Sequence, residues 1–216
     1  MNTNEAANIH DLAHASVVTH ALVFASNAAA FMLGGEELLR TKEIKPDILD
    51  QCLRNTYEKM YERYVSHNSY NSPLEVNSFK WGNKVAVTLD GNTIHNSEAH
   101  YVEAFQDLIK LHNKMPKFSL ENRNNNFPSG TTTAGEQYIN LFWEGSYGGA
   151  LGIQFDEYFI YVSGRKCATV YGDIMIFGND LFRYGTQSTQ GNTITLGDPT
   201  FDKGYAIRVC KRGSLL

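Results

Sequence analysis

With 216 residues, 42% of them hydrophobic, the chain is long enough to bury a core without covalent staples. Nineteen basic against 23 acidic residues give a formal charge of −4 with no Lys/Arg cluster, so the electrostatic footprint of a nucleic-acid binder is missing. Three cysteines (Cys52, Cys167, Cys210), odd in number and without CxxC spacing, speak against a disulfide framework or a zinc knuckle and are expected as small buried hydrophobes.

Ala15 to Gly35 carries no formal charge and approaches the length of a membrane span, but Ser16, Thr19, His20, Ser26 and Asn27 interrupt it. The first Lys or Arg is Arg40, preceded by Glu5 and Asp11, so neither an export signal nor a membrane segment is expected, and the location is cytoplasmic by default. This stretch predicts a helix over Asn8 to Phe24, then a buried parallel strand over Ala28 to Leu33 ending in Gly34-Gly35. His10 and His14 stand four apart on that helix. The zinc-protease pattern needs Glu where Asp11 stands, and no third ligand sits in a matching motif, so no metal is expected.

Pro46 and Asp47 suit a helix start, and Ile48, Leu49, Cys52, Leu53, Tyr57, Met60, Tyr61 and Tyr64 recur at three- and four-residue steps. The spacing predicts one amphipathic helix. Ser97 is the expected N-cap of another, with a stripe of Tyr101, Val102, Phe105, Leu108, Ile109 and His112. Ser119 to Gly135, rich in Asn and Thr and containing Pro128-Ser129-Gly130, has linker composition. Of the 18 glycines, 14 follow Ser129, where the pattern changes to strands. Tyr138 to Trp143, Leu151 to Phe155, Tyr158 to Val162, Cys167 to Tyr171, Ile174 to Phe177, Leu181 to Tyr184, Thr193 to Leu196 and Tyr205 to Cys210 are rich in β-branched and aromatic residues. The expected organisation is α+β: a mainly helical piece over 1–118, a linker over 119–135, and a small antiparallel all-β domain, sandwich or barrel, over 136–216. The regular punctuation of the β half makes it the piece expected to fold by itself.

Three segments between Ala21 and Phe118 together resemble the C-terminal end of the catalytic barrel of pullulanase-type glycoside hydrolases. SNAAAFMLGGEELLRTK (Ser26 to Lys42) is similar to their eighth barrel strand and turn, HNSYNSPLEVNSFKW (His67 to Trp81) to their Asn-Ser-Tyr loop, and YVEAFQDLIKLHNKMPKF (Tyr101 to Phe118) to their last barrel helix. Ala28, Ala30 and Leu74 depart from the pattern. The resemblance implies the last strand-helix unit of a (β/α)8 barrel, an α-glucan as partner, Gly35, Glu36 and Glu37 as a barrel-end motif, and Arg40, Asn68, Tyr70 and Asn71 beside the sugar cleft. It also implies a truncated or recombined relative, inactive alone and without cofactor, because no segment of this sequence matches the family's catalytic carboxylates.

Glycoside hydrolysis needs two carboxyl groups facing each other roughly 5 to 9 Å apart. Glu36 and Glu37 are neighbours and diverge. Trp81 is expected in the core. The alternative reading is a non-catalytic glycan- or surface-binding protein acting through its β half, using Trp143, Tyr147, Tyr158, Tyr161, Tyr171, Tyr184 or Tyr205. Strand alternation assigns most of these to a core. A barrel piece without its sheet partners leaves an unpaired strand edge, a route to self-association.

Overall fold

A computed structural model describes residues 9–25, 29–60, 63–89, 91–115, 140–142, 150–155, 158–164, 166–171, 179–191, 193–201 and 203–211. The linker stretch 119–135 and the expected strand Ile174 to Phe177 lie outside them. The chain forms two compact units, one from Met1–Phe31 with Glu103–Leu216, the other from Met32–Val102. No helix among the described residues is long and apolar enough to cross a membrane.

Helix α1 (Ile9–Ala25) forms where the apolar run predicts it. Ala13, Val17, Ala21 and Ala25 are almost fully buried, with Ala15, Val18 and Phe24 close behind. Its Thr19 and His20 turn back onto the carbonyls of Ala15 and Ser16, at 2.7 and 2.8 Å, which keeps these polar groups satisfied on a buried helix.

Within the 32–102 unit the first strand is β1 (Glu43–Ile44). Residues 29–33 make no regular structure, so the expected parallel strand over Ala28 to Leu33 is absent there. The helix expected from Pro46 to Tyr64 is replaced by a 3-10 turn at Pro46–Gln51 and the strands β2 (Tyr57–Met60) and β3 (Arg63–Ser66). Thr56 marks the change. Its N–H and hydroxyl both donate to the Leu53 carbonyl, at 2.9 and 2.7 Å, and close a turn that competes with helix propagation. The same apolar residues find a core in this arrangement: Ile48, Leu49, Tyr57 and Tyr64 pack around Ile44, Cys52 and Val76. The sheet order is β1-β3-β2, antiparallel, with Glu58 opposite Val65 and Ile44 opposite Tyr64.

The short helix α2 (Leu74–Asn77) follows Pro73, and a hairpin pairs β4 (Ala86–Leu89) with β5 (Asn92–His95). Gly91, at φ +77°, holds the left-handed conformation its tight turn requires. After α3 (Asn96–Ala99), His100 at φ +51° breaks the helix before α4 (Tyr101–Lys114). Ser97, the expected cap, lies inside α3, whose N-cap position is His95; the Asn96 side-chain oxygen instead accepts the Val102 N–H in the first turn of α4, at 2.9 Å. Tyr101, Val102, Phe105 and Leu108 are buried as the stripe predicts. Leu111 joins them, while Ile109 is half exposed.

The other unit continues with β6 (Asn140–Phe142), β7 (Ala150–Phe155), β8 (Tyr158–Ser163), β9 (Ala168–Tyr171), β10 (Asp180–Tyr184), β11 (Gln187–Gln190), β12 (Thr193–Leu196) and β13 (Ala206–Lys211). These build two open antiparallel sheets, β10-β13-β8-β7-β6 and β11-β12-β9, so the described strands close no barrel. Phe159, Tyr161, Ala206 and Cys210 from the first sheet meet Ala168, Val170, Ile194 and Leu196 from the second in one core. Alternation leaves Ile160, Val162, Ile207 and Val209 for the opposite face, where α1 packs on β8 and β13. Helix α4 lies against α1 through the Phe105 and His20 rings, 5.0 Å apart, and His112 Nδ1–H donates to the Phe24 carbonyl at 2.9 Å. The fold is thus α+β, an N-terminal helix followed by antiparallel sheets.

Candidate functional site

The site residues implied by the resemblance, Gly35, Glu36, Glu37, Arg40, Asn68, Tyr70 and Asn71, fall in the 32–102 unit. The turn after Leu33 is organised by Gly35, whose φ of +97° is open to glycine at little cost. Its carbonyl accepts the N–H groups of Leu38 and Arg40, at 3.0 and 3.1 Å, and its own N–H donates to Glu37 Oε2 at 2.8 Å. Glu37 is therefore folded back on the turn that carries it. Glu36 sits in the following 3-10 turn, and its N–H closes onto the Leu33 carbonyl.

Arg40 joins this turn to the second motif. Its Nη1 donates to the Gly34 carbonyl at 3.2 Å, and its Nη2 donates to the carbonyl and side-chain oxygens of Asn77, at 3.1 and 3.2 Å. Asn77 in turn donates through Nδ2 to the Ser69 and Ser72 carbonyls, at 2.7 and 3.1 Å. One guanidinium and one amide thus pin two loops that lie 37 residues apart in sequence. Within the pinned loop Asn68 accepts the Tyr70 N–H at 3.3 Å, Asn71 is exposed, and Tyr70 is 94% exposed. Of the four residues expected beside a cleft, Arg40 is committed to the protein's own backbone, and Asn68, Tyr70 and Asn71 form an Asx-type surface turn.

Trp81, expected in the core, is 70% exposed and stacked on Phe79, with ring centroids 5.3 Å apart and planes 16° from parallel. Phe79 rests on Gly34, where a Cβ would come within 2.9 Å of Cζ, so the glycine makes room for the ring. In the β-rich unit Tyr158 and Tyr161, on opposite faces of β8, are both buried and offer no stacking surface. Trp143 and Tyr147 lie outside the described residues. Cys52 and Cys210 are buried and Cys167 partly so.

Three residues that sequence reading did not select shape the neighbourhood. Asn77 is the pin described above. Asn83 donates to the Leu38 carbonyl at 2.9 Å and accepts the Tyr101 hydroxyl on its own carbonyl. Lys80 extends into a groove of about 320 Å³, lined among others by Glu43, Lys45, Ile48, Glu75 and Val87. Asn77 sits at a fixed position of the family's loop pattern and was open to recognition. Lys80 carries no signal until three separate segments are brought together. No family model, no curated protein and no solved structure matches the chain.

Proposed function

We propose that the chain is a recombined relative of pullulanase-type α-glucan hydrolases which carries the barrel-end motifs of that family and hydrolyses no glucan by itself. The observation that carries this reading is the Arg40–Asn77 bridge. It joins the Gly-Glu-Glu-x-x-Arg segment to the Asn-Ser-Tyr loop, the two segments that resemble neighbouring barrel-end elements. Support for inactivity comes from the carboxylates. Glu37 is spent on the Gly35 N–H, and Glu36 beside it cannot face it across a substrate bond. For Arg40, expected beside the sugar cleft, three hydrogen bonds within the protein support a role in anchoring the two segments to each other.

The test is reducing-end release from pullulan, starch and glycogen by the purified full chain. No turnover is expected. Turnover that survives purification and disappears in the Glu36→Gln/Glu37→Gln or the Glu43→Gln/Glu75→Gln double variant would overturn the reading.

A further inference from the structure

We propose that the groove of the 32–102 unit binds a zwitterionic ligand, a free α-amino acid with an apolar side chain. The inference is independent of the hydrolase ancestry. It begins with Lys80, which is half-buried on the groove wall, its ammonium donating to Ser78 Oγ at 3.2 Å and to the Glu75 carbonyl. Both acceptors are neutral. Among the described residues no carboxylate pairs with Lys80, so two hydrogen bonds fix the position of the charge without compensating it. A partly desolvated, preorganised ammonium of this kind favours an incoming anion.

The groove as a whole is not a general anion site. Lys45 lines it as well as Lys80, but so do Glu43 and Glu75, exposed and without an ion-pair partner among the described residues. Two charges of each sign disfavour phosphate esters and bare cations alike. They suit a ligand that brings both signs at once, its carboxylate to Lys80 or Lys45 and its ammonium to Glu43 or Glu75. The lining also includes Ile48, which packs on the Ile44, Cys52 and Val76 cluster, and Val87, which is 4% exposed. Such a floor rewards burial of an aliphatic side chain. The volume of about 320 Å³ lies at the small end of ligand sites.

The experiment is chemical-shift titration of the full chain with leucine, N-acetyl-leucine, leucinamide and maltose. Leucine is expected to give saturable shifts, and removing either charge is expected to weaken binding at least about tenfold. Lys80→Gln should weaken leucine and leave leucinamide little changed, whereas Glu43→Gln and Glu75→Gln should weaken leucine and leave N-acetyl-leucine little changed. Lys80→Gln also removes two structural hydrogen bonds. Should it fail to fold, the exposed Lys45 and Glu43 provide Lys45→Gln and Glu43→Gln as variants that leave the scaffold intact. No saturable shift with leucine, equal binding of leucine and its two derivatives, or saturation by maltose would each overturn the proposal.

Discussion

Cys210 is buried at the point where the core of the β-rich unit meets the ion pair of Arg208 with Asp180. Arg208, 4% exposed, donates through Nε to Asp180 Oδ1 at 2.5 Å, through Nη2 to Oδ2 at 3.1 Å and through Nη1 to Thr189 Oγ1 at 2.8 Å, so its charge is paired and each of its three nitrogens donates a hydrogen bond. The Cys210 thiol donates to the same carboxylate at 3.3 Å. Burial first, and the Asp180 charge second, push the thiol from 9.0 up to about 12. Burial raises the Tyr184 phenol as well. Both groups therefore keep their protons in the folded chain at pH values where the unfolded chain releases them. The Cys210 contribution to stability is full below about pH 9 and is lost as pH rises towards about 12, with a slope of about 1.4 kcal/mol per pH unit, and the Tyr184 contribution is full below about pH 10 and falls above it. Urea midpoints should be level near neutrality and fall above about pH 9. Cys210→Ala, though less stable at neutral pH, should show a shallower fall. An unchanged slope would remove Cys210 as the cause.

At the scale of elements, the segment from Pro46 to Ser66 separates two readings of one sequence by the sign of a single substitution. In a helix Thr56→Ala would stabilise by about 0.5 kcal/mol, because alanine is the better helix former. In the turn that precedes β2 it removes the hydroxyl bond to the Leu53 carbonyl and should destabilise by about 1 kcal/mol. Thermal or urea melts of the full chain decide between the two, and a gain in stability would contradict the hairpin. The helical spacing of Ile48, Leu49, Cys52, Tyr57 and Tyr64 misleads because a 3-10 turn and a twisted hairpin bring the same residues to one cluster. Where one periodicity runs long enough, the elements are legible: α1 and α4 form as predicted, as do β7, β8 and β13, rich in β-branched and aromatic residues. The strand β11, Gln187 to Gln190, escapes sequence reading because it is an outer strand of its sheet with polar side chains only. The candidate site was half legible. Its motifs stand in the sequence, but that Arg40 would turn inward to Asn77 instead of outward to a ligand depends on a long-range contact that no local pattern encodes.

For the molecule as a whole, the β-rich unit is discontinuous in sequence. Helix α1 covers the face of β8 and β13 that carries Ile160, Val162, Ile207 and Val209, and its own Ala13, Val17 and Ala21 are sealed in return. Its His14 ring lies 5.2 Å from that of Tyr184, and α4 closes on its other flank. A fragment beginning after residue 118 retains the strands but exposes that apolar face to water, at about 25 cal/mol per Å² uncovered. It is expected to associate or to melt without cooperativity. Joining 1–31 to 101–216 through a flexible Gly/Ser linker keeps α1 and α4 and omits most of the other unit. This fusion is expected to give one cooperative thermal transition and a monomer by sedimentation. The pair of chains makes the outcome decisive, since both contain every strand from β6 to β13. A cooperative, monomeric 119–216 fragment would show that the sheets are self-sufficient and that α1 is an accessory. A fusion that fails while the full chain melts cooperatively would show that the 32–102 unit is needed for the β-rich unit to hold its fold.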